Sequence, residues 1–252
     1  MVERDIAARG VRDELVLDAM RKVPRELFLP KRLREFAYED SPLPIAGEQT
    51  ISQPYIVAFM AEALMLKGGE EVLEIGAGSG YAAAVLSEIA ANVYSVERLG
   101  PLAERAAETL AELGYDNVHV LHGDGTRGWP DHAPYYAIVV AAGGPQVPES
   151  LKEQLKIGGR LVNPIGSPGY SSSRGFRSGG RSGRPLGREL VNTDRRRIAT
   201  YAPNRLLQSR RLRATPETSL TWCRPSTDGR EPSSPLRRSL RPPSPPAANP
   251  HQ

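Results

Sequence analysis

The stretch Glu74-Ile75-Gly76-Ala77-Gly78-Ser79-Gly80 decides the fold of this 252-residue chain. It lies between a short apolar segment, 71–75, and an alanine-rich segment, 81–90, which predict a strand and a helix. Glycines between a strand and a helix let the backbone turn sharply and let a ligand approach without a clash with Cβ. The stretch therefore predicts a ligand-binding loop after a parallel strand.

Strands and helices alternate on both sides of this loop. We predict strands at 71–75, 92–97, 117–121, 136–142 and 160–165. We predict helices at 12–22, 54–66, 81–90, 101–113 and 148–156. Such alternation is typical of an α/β domain with a doubly wound, mostly parallel sheet that is covered by helices.

Two regions of opposite charge make up the chain. Residues 1–166 contain 16 Lys and Arg against 24 Asp and Glu, whereas residues 167–252 contain 17 Arg, no Lys and 5 Asp and Glu. The second region is also rich in Ser, Pro and Gly, and such a composition buries too little apolar surface to offset chain entropy. We therefore predict a folded domain at 1–166 and a disordered tail at 167–252.

The glycine loop differs from the loop that binds dinucleotides. It reads G-x-G-x-G, with Tyr81 where the dinucleotide pattern G-x-G-x-x-G has its last glycine. The acidic Glu74 precedes it, which suits a ligand without phosphates but with a positively charged amino acid end. S-adenosylmethionine, with its ammonium and sulfonium groups, fits this description. A tight turn without a ligand is the alternative.

Two further acids follow the next predicted strands. Glu97 ends the second strand, where a carboxylate can accept hydrogen bonds from both hydroxyls of a ribose. Asp124 follows the third strand in Gly123-Asp124-Gly125, where it can accept from the adenine amino group. The alternatives are a solvated surface acid for Glu97 and a turn aspartate for Asp124.

Five segments resemble the protein-L-isoaspartate O-methyltransferase family, and together they span about residues 2–168. They are Val23–Glu26, Gln49–Pro54, Val72–Tyr81, His122–Gly125 with Gly128–Pro130, and Gln154–Val162. The resemblance implies a Rossmann-like class I methyltransferase that moves the methyl group of S-adenosylmethionine to the α-carboxylate of L-isoaspartyl residues in damaged proteins. Such methylation is the first step of protein repair.

The resemblance also implies which residues form the site. The family's active-site serine falls on Ser52, although a serine two residues before Pro54 can equally cap the next helix. The implied cofactor-binding residues are Gln49, Thr50, Ile51, Glu74, Gly76, Gly78, Gly80, Glu97, Asp124 and Gly125. No metal is expected, because the histidines have neither cysteine partners nor metal-ligand spacing.

The chain departs from the family pattern in two places. Tyr135-Tyr136 stands where the family usually has Phe-Asp, which predicts a disturbance of the strand entry or of the cofactor side of the pocket. Nothing after Ser167 matches, so we expect the sheet to lack its last two strands and catalysis to be impaired. The absence of lysine from 167–252 resembles translation in a wrong reading frame, and a frameshift is the favoured explanation.

Other functions stay open at this point. One is a class I methyltransferase for a different small molecule, and another is a non-catalytic, Arg-rich nucleic-acid-binding protein that uses the tail. The expected partners are isoaspartyl-containing proteins and peptides, with nucleic acid bound only non-specifically through the tail. We expect a cytoplasmic monomer without membrane contact, because the first 20 residues are charged throughout and no apolar stretch approaches a membrane span.

Overall fold

The structure, a computed structural model, describes residues 1–142, 146–164, 188–193 and 196–201, with side chains for 1–142 and 146–163. All of them belong to one compact unit, Met1–Leu206. The α-helices are α1 Glu14–Lys22, α2 Pro54–Leu64, α3 Tyr81–Ser87, α4 Gly100–Glu112 and α5 Glu149–Glu153. The strands are β1 Leu43–Pro44, β2 Thr50–Ile51, β3 Glu71–Ile75, β4 Asn92–Glu97, β5 Val118–His122, β6 Tyr135–Val140, β7 Leu155–Pro164, β8 Arg188–Thr193 and β9 Arg196–Tyr201.

Seven strands form one sheet in the order β5-β4-β3-β6-β7-β9-β8. Strand β3 pairs in parallel with β4 on one side and with β6 on the other. The chain runs outward from β3 through β4 to β5 and then returns to place β6 on the opposite side. Strand order therefore reverses next to β3, and the crevice at such a reversal is where α/β sheets bind ligands.

Side chains alternate between the two faces of β3. Val72 packs in the cluster that α1, α2 and α3 cover, whereas Leu73 packs in the cluster on the opposite face with Leu151 of α5. Both faces are thus buried, as expected for a parallel sheet. The predicted doubly wound Rossmann-like α/β fold is confirmed.

Two strands extend the sheet beyond its predicted end. Strand β9 pairs in parallel with β7, with Leu161 opposite Ile198, and β8 pairs antiparallel with β9. The expectation that the sheet lacks its last two strands is therefore wrong. Residues 188–193 and 196–201 are two short runs with β-branched residues, and the Arg-rich composition of the whole tail obscured them.

The rest of the predicted disordered tail, 167–187, 194–195 and 202–252, lies outside the described residues. The division of the chain at residue 166 thus stays a prediction. Among the helices of the described ranges, none is long and apolar enough to cross a membrane.

Candidate active site

The glycine loop leaves the carboxyl end of β3 in a conformation that only glycine adopts easily. Gly76, Gly78 and Gly80 have φ angles of +98°, +55° and +86°. A Cβ atom on Gly80 would lie 3.1 Å from Leu110 Cδ1 in α4, so lack of space adds to the backbone strain. Gly76 N donates to the carbonyl oxygen of Val96 at 2.8 Å, which ties the loop to β4.

Glu97 lies against this loop at the end of β4. Its Oε2 accepts from Gly78 N and its Oε1 accepts from Leu99 N, both at 2.9 Å. The residue is only 7 % exposed, so the alternative of a solvated surface acid is wrong. Each carboxylate oxygen has further lone pairs, which leaves Glu97 able to accept from hydroxyl groups of a ligand.

Glu74 is a fully buried acid on β3, next to the loop. Its Oε2 accepts from Ser95 Oγ, while its Oε1 has no hydrogen-bond partner within the described part of the chain. Burial raises the pKa of Glu74 to about 8, and the Ser95 hydroxyl opposes this rise. A buried oxygen without a donor is costly, and an ammonium group is the kind of donor that would satisfy it.

Asp124 and Gly125 follow β5 at the same edge of the sheet. Asp124 is exposed, and its Oδ1 accepts from Thr126 N at 2.9 Å and from Thr126 Oγ1 at 2.8 Å. These bonds lower the pKa of Asp124 and give it the role of a turn aspartate, so its contact with adenine stays a prediction. A Cβ on Gly125 would lie 2.4 Å from Ile75 Cγ2, so only glycine lets this segment approach β3.

Gln154 holds this second loop and was not predicted as a site residue. Its Oε1 accepts from Trp129 N and its Nε2 donates to the carbonyl oxygen of Arg127, both at 2.8 Å. Gly128 has φ +64°, and a Cβ there would lie 2.3 Å from Gln154 Oε1. No periodic pattern could reveal this contact, because the partners are 25 to 27 residues apart.

A β-hairpin packs against the glycine loop. Strands β1 and β2 are joined by a turn in which Gly47 and Glu48 have φ angles of +65° and +55°, as in a type I′ turn. Cβ atoms on Gly47 and Gly78 would lie 3.1 Å from Leu99 Cδ1 and 3.7 Å from Ile45 Cδ1, respectively. The hairpin therefore brings the segment before Ser52 next to the loop and Glu97.

The predicted cofactor contacts in this hairpin have different surroundings. Gln49 is exposed, and its Nε2 donates to the carbonyl oxygen of Gly47 at 3.1 Å. Thr50 is half-buried, whereas Ile51 is 3 % exposed and packs in the core. The hairpin thus leaves Gln49 and Thr50 accessible and uses Ile51 for packing.

Ser52 lies between this hairpin and α2. The N-cap residue of α2 is Gln53, and no side chain of the cap residue bonds to the helix. Asp40 supplies the missing acceptor, because its Oδ1 accepts from Tyr55 N at 2.9 Å. The helix-cap alternative for Ser52 is therefore wrong. Ser52 instead lines a cavity of about 30 Å³ together with Glu74.

Tyr135-Tyr136, which stands where the family usually has Phe-Asp, lies at the amino end of β6, opposite to the end that carries the glycine loop. Tyr135 begins β6 and is fully buried, and its hydroxyl donates to the carbonyl oxygen of Trp129 at 2.6 Å. The pairing of β6 with β7 shifts register between Tyr135 and Ala137. Because β6 runs parallel to β3 and the glycine loop follows the carboxyl end of β3, this departure from the family pattern lies at the strand entry and away from the cofactor side.

The arrangement fits S-adenosylmethionine. A glycine loop can pass close to the ligand, Glu74 has a free buried oxygen, and Glu97 has acceptor capacity at the end of β4. A cationic amino acid end and a ribose need these groups. Among the described residues, no cluster of three or more His, Cys, Asp or Glu side chains could hold a metal ion.

Comparison with known sequences agrees with this geometry. The family profile of protein-L-isoaspartate(D-aspartate) O-methyltransferase matches residues 1–176. A protein-L-isoaspartate O-methyltransferase of Rhodopseudomonas palustris (strain ATCC BAA-98 / CGA009) is 72 % identical over 167 residues, which are 66 % of this chain and 77 % of that protein. A second relative, from Pelobacter propionicus, is 61 % identical over 170 residues, or 68 % of this chain and 76 % of that protein.

Solved structures give the same result. A protein-L-isoaspartate O-methyltransferase is 38 % identical with a TM-score of 0.58, over 66 % of this chain and 55 % of that one. A Plasmodium falciparum protein, crystallised with S-adenosyl-L-homocysteine, has a TM-score of 0.61 over 79 % of this chain and 92 % of its own. At 23 % identity the second likeness concerns the fold alone. The chain belongs to the protein-L-isoaspartate O-methyltransferase family, whose S-adenosylmethionine-dependent enzymes methylate isoaspartyl residues for protein repair.

Proposed function

We propose that two groups of residues share the methyl transfer in this chain. The glycine loop, Glu74 and Glu97 hold S-adenosylmethionine, and Ser52 orients the isoaspartyl carboxylate of the damaged protein. The observation that carries the proposal is the contact between Glu97 and Gly78 N, which places an acid with free acceptor capacity beside the glycine loop. Asp124, Gly125, Gln49, Thr50 and the main chain of Ile51, whose side chain packs in the core, complete the proposed cofactor site.

The reaction requires little of the protein beyond positioning the cofactor and the accepting carboxylate. When bound, S-adenosylmethionine supplies an activated methyl group on a sulfonium. The accepting carboxylate is already ionised near pH 7, so no strong general base is needed. Holding the two reactants in line can supply most of the acceleration.

The proposed role of Ser52 is to orient the acceptor. Its hydroxyl can donate a hydrogen bond to a carboxylate oxygen, and such charge-assisted bonds are about twice as strong as neutral ones. Ser52 and Glu74 both line one cavity, which supports a site shared by substrate and cofactor.

A matched pair of peptides tests the proposal. The full chain is incubated with methyl-labelled S-adenosylmethionine and with two peptides that differ only in carrying isoaspartate or normal aspartate at one position. We expect base-labile label in the isoaspartyl peptide alone. Equal labelling of both peptides, or labelling of neither under conditions in which the cofactor binds, would contradict the proposed function.

The remaining aspects of the function concern partners and location. We propose that the protein acts as a monomer in the cytoplasm, without membrane contact, on isoaspartyl-containing proteins. Nucleic acid is expected to bind only through the 17 arginines of 167–252, and such binding should weaken steeply as salt rises. Sedimentation of the protein alone, and of the protein with a random duplex at two salt concentrations, checks both statements.

A further inference from the structure

Arg25 is a buried cation with no role in the proposed site so far. Its side chain is 0 % exposed, and no carboxylate within the described residues forms an ion pair with it. Burial lowers the pKa of its guanidinium, although the nearby Tyr81 opposes this change. Burying an arginine without a partner carboxylate is expensive, so its donors are expected to have a specific use.

The donors of Arg25 join segments that are distant in sequence. Nε donates to the carbonyl oxygen of Ala37 at 2.8 Å, and Nη2 donates to the carbonyl oxygen of Ser52 at 2.9 Å. Ala37 is the C-cap residue of a 3₁₀-helix, Lys31–Phe36, and Ser52 follows β2. A planar guanidinium fixes the angle between its donors, so Arg25 holds these two segments in one relative position.

The same guanidinium also lies over the ring of Tyr81. Its Cζ is 4.7 Å from the ring centroid, within the range of a cation–π interaction. Tyr81 is the first residue of α3 and directly follows Gly80 of the glycine loop. Arg25 therefore connects the main chain of Ser52 with the end of the loop proposed to hold the cofactor.

We infer that Arg25 is a positioning residue that sets the distance and angle between Ser52 and the glycine loop. The inference rests on the proposed role of Ser52. Arg25 touches neither reactant in this account, and its effect passes through the Ser52 carbonyl. Lysine cannot replace it, because a single ammonium cannot reproduce the fixed fork that bonds two carbonyl oxygens.

The test compares Arg25→Lys and Arg25→Met with Ser52→Ala and with the double variants. Arg34→Lys is the matched control, because Arg34 Nε contacts the carbonyl oxygen of Leu29 in the same part of the chain without bonding to Ser52. For both Arg25 variants we expect kcat/KM for an isoaspartyl peptide to fall by up to about 10²-fold, the scale of a small misplacement at a reacting centre. The Kd for S-adenosylmethionine should change less than twofold.

The double variants separate positioning from general damage. If Arg25 acts through Ser52, Arg25→Lys should lower kcat/KM much less in the Ser52→Ala background than in the wild type. Equal losses in both backgrounds, or a loss that Arg34→Lys reproduces, would overturn the inference. So would unchanged kcat/KM in a folded Arg25→Lys protein.

The same set distinguishes failure of the inference from failure of the proposed function. An active wild type with a defective Ser52→Ala variant upholds the proposed role of Ser52 whatever Arg25 does. If Ser52→Ala is fully active, the role of Ser52 is wrong and the inference falls with it. Should Arg25→Met fail to fold, Arg25→Lys still carries the comparison, since it keeps the charge and most of the volume.

Discussion

The two halves of the site are held by different kinds of contact. On the cofactor side, main-chain bonds join neighbouring strand ends: Gly76 N to Val96 O, Gly123 N to Glu97 O and Ala141 N to Ile75 O, at 2.8–2.9 Å. On the substrate side, Ser52 is held by the side chain of Arg25, and the start of α2 by the side chain of Asp40. Apart from its glycines and Glu97, whose carboxylate holds Gly78 N and Leu99 N, the cofactor side should therefore tolerate side-chain substitutions better than the substrate side does.

Replacement of Glu97 by alanine should weaken cofactor binding most severely. Glu97→Ala removes the proposed ribose acceptor and leaves Gly78 N and Leu99 N without their partner. We expect S-adenosylmethionine binding to weaken by about 1.5–3 kcal/mol, the range for a hydrogen bond to a charged group. Calorimetric titration of a folded variant measures this, and an unchanged Kd would remove Glu97 from the site.

Ser52→Ala should impair methyl transfer to the substrate without affecting cofactor binding. Loss of one charge-assisted bond should lower methyl transfer to an isoaspartyl peptide by about 1.5–3 kcal/mol in activation free energy, with the cofactor Kd and the melting temperature nearly unchanged. Asp40→Ala is the contrasting variant, because it removes the acceptor at the start of α2 and should cost about 1 kcal/mol of stability. A lower melting temperature with unchanged turnover for Ser52→Ala would return Ser52 to a structural role.

The pH dependence of cofactor binding sharpens the account of Glu74. Without a ligand its pKa is about 8, so below pH 8 the folded chain holds Glu74 protonated, and pairing with an ammonium must release that proton. Affinity should therefore rise with pH up to about 8, by at most about tenfold per unit. Calorimetry in buffers of different ionisation enthalpy detects the released proton. The control is Glu74→Gln, which cannot titrate at this position and keeps Glu97, the acid whose charge also raises the pKa of Glu74. The affinity of this variant for S-adenosylmethionine should not vary with pH.

Limited digestion of the tail, 167–252, should have the smallest effect on catalysis. It is also the sharpest test of where the folded domain ends. The sequence predicts that trypsin trims the chain to about residue 165, because the flexible arginines of a disordered tail are cleavage sites. The pairing of β7 with β9 predicts a fragment that persists beyond Tyr201. Mass spectrometry of the digest decides between them. The frameshift stays a prediction. Impaired turnover stays one too, although the incomplete sheet that was its expected cause is not observed in the described residues.

Local patterns in the sequence located the glycine loop and Glu97 at strand ends, but they did not show which side chain caps α2. The loop from Gly76 to Gly80 and the acid Glu97 follow strand ends, and parallel strands bring their carboxyl ends together by topology alone. Ser52 looked equally like a helix cap because the real capping acceptor, Asp40, lies outside the local pattern. Gln154 and Arg25 act across 12 to 27 residues of sequence, and no periodicity reports such contacts.

The strand pair β8–β9 was missed for a different reason. The tail was interpreted from its average composition, in which 17 arginines outweigh short apolar runs. In the β8–β9 register, however, Val191 is paired with Ile198. Strand pairing depends on such cross-strand neighbours more than on average polarity. The composition of six-residue segments therefore predicts these strands better than the average over the whole tail.

The most direct test of the central claim is calorimetric titration of the full chain with S-adenosylmethionine, with NAD titrated in parallel. The loop, Glu74 and Glu97 should give saturable one-to-one binding of S-adenosylmethionine and no measurable binding of NAD. That result would place the cofactor in the site defined by these residues. Binding of NAD, or no binding of S-adenosylmethionine by a folded protein, would contradict the account.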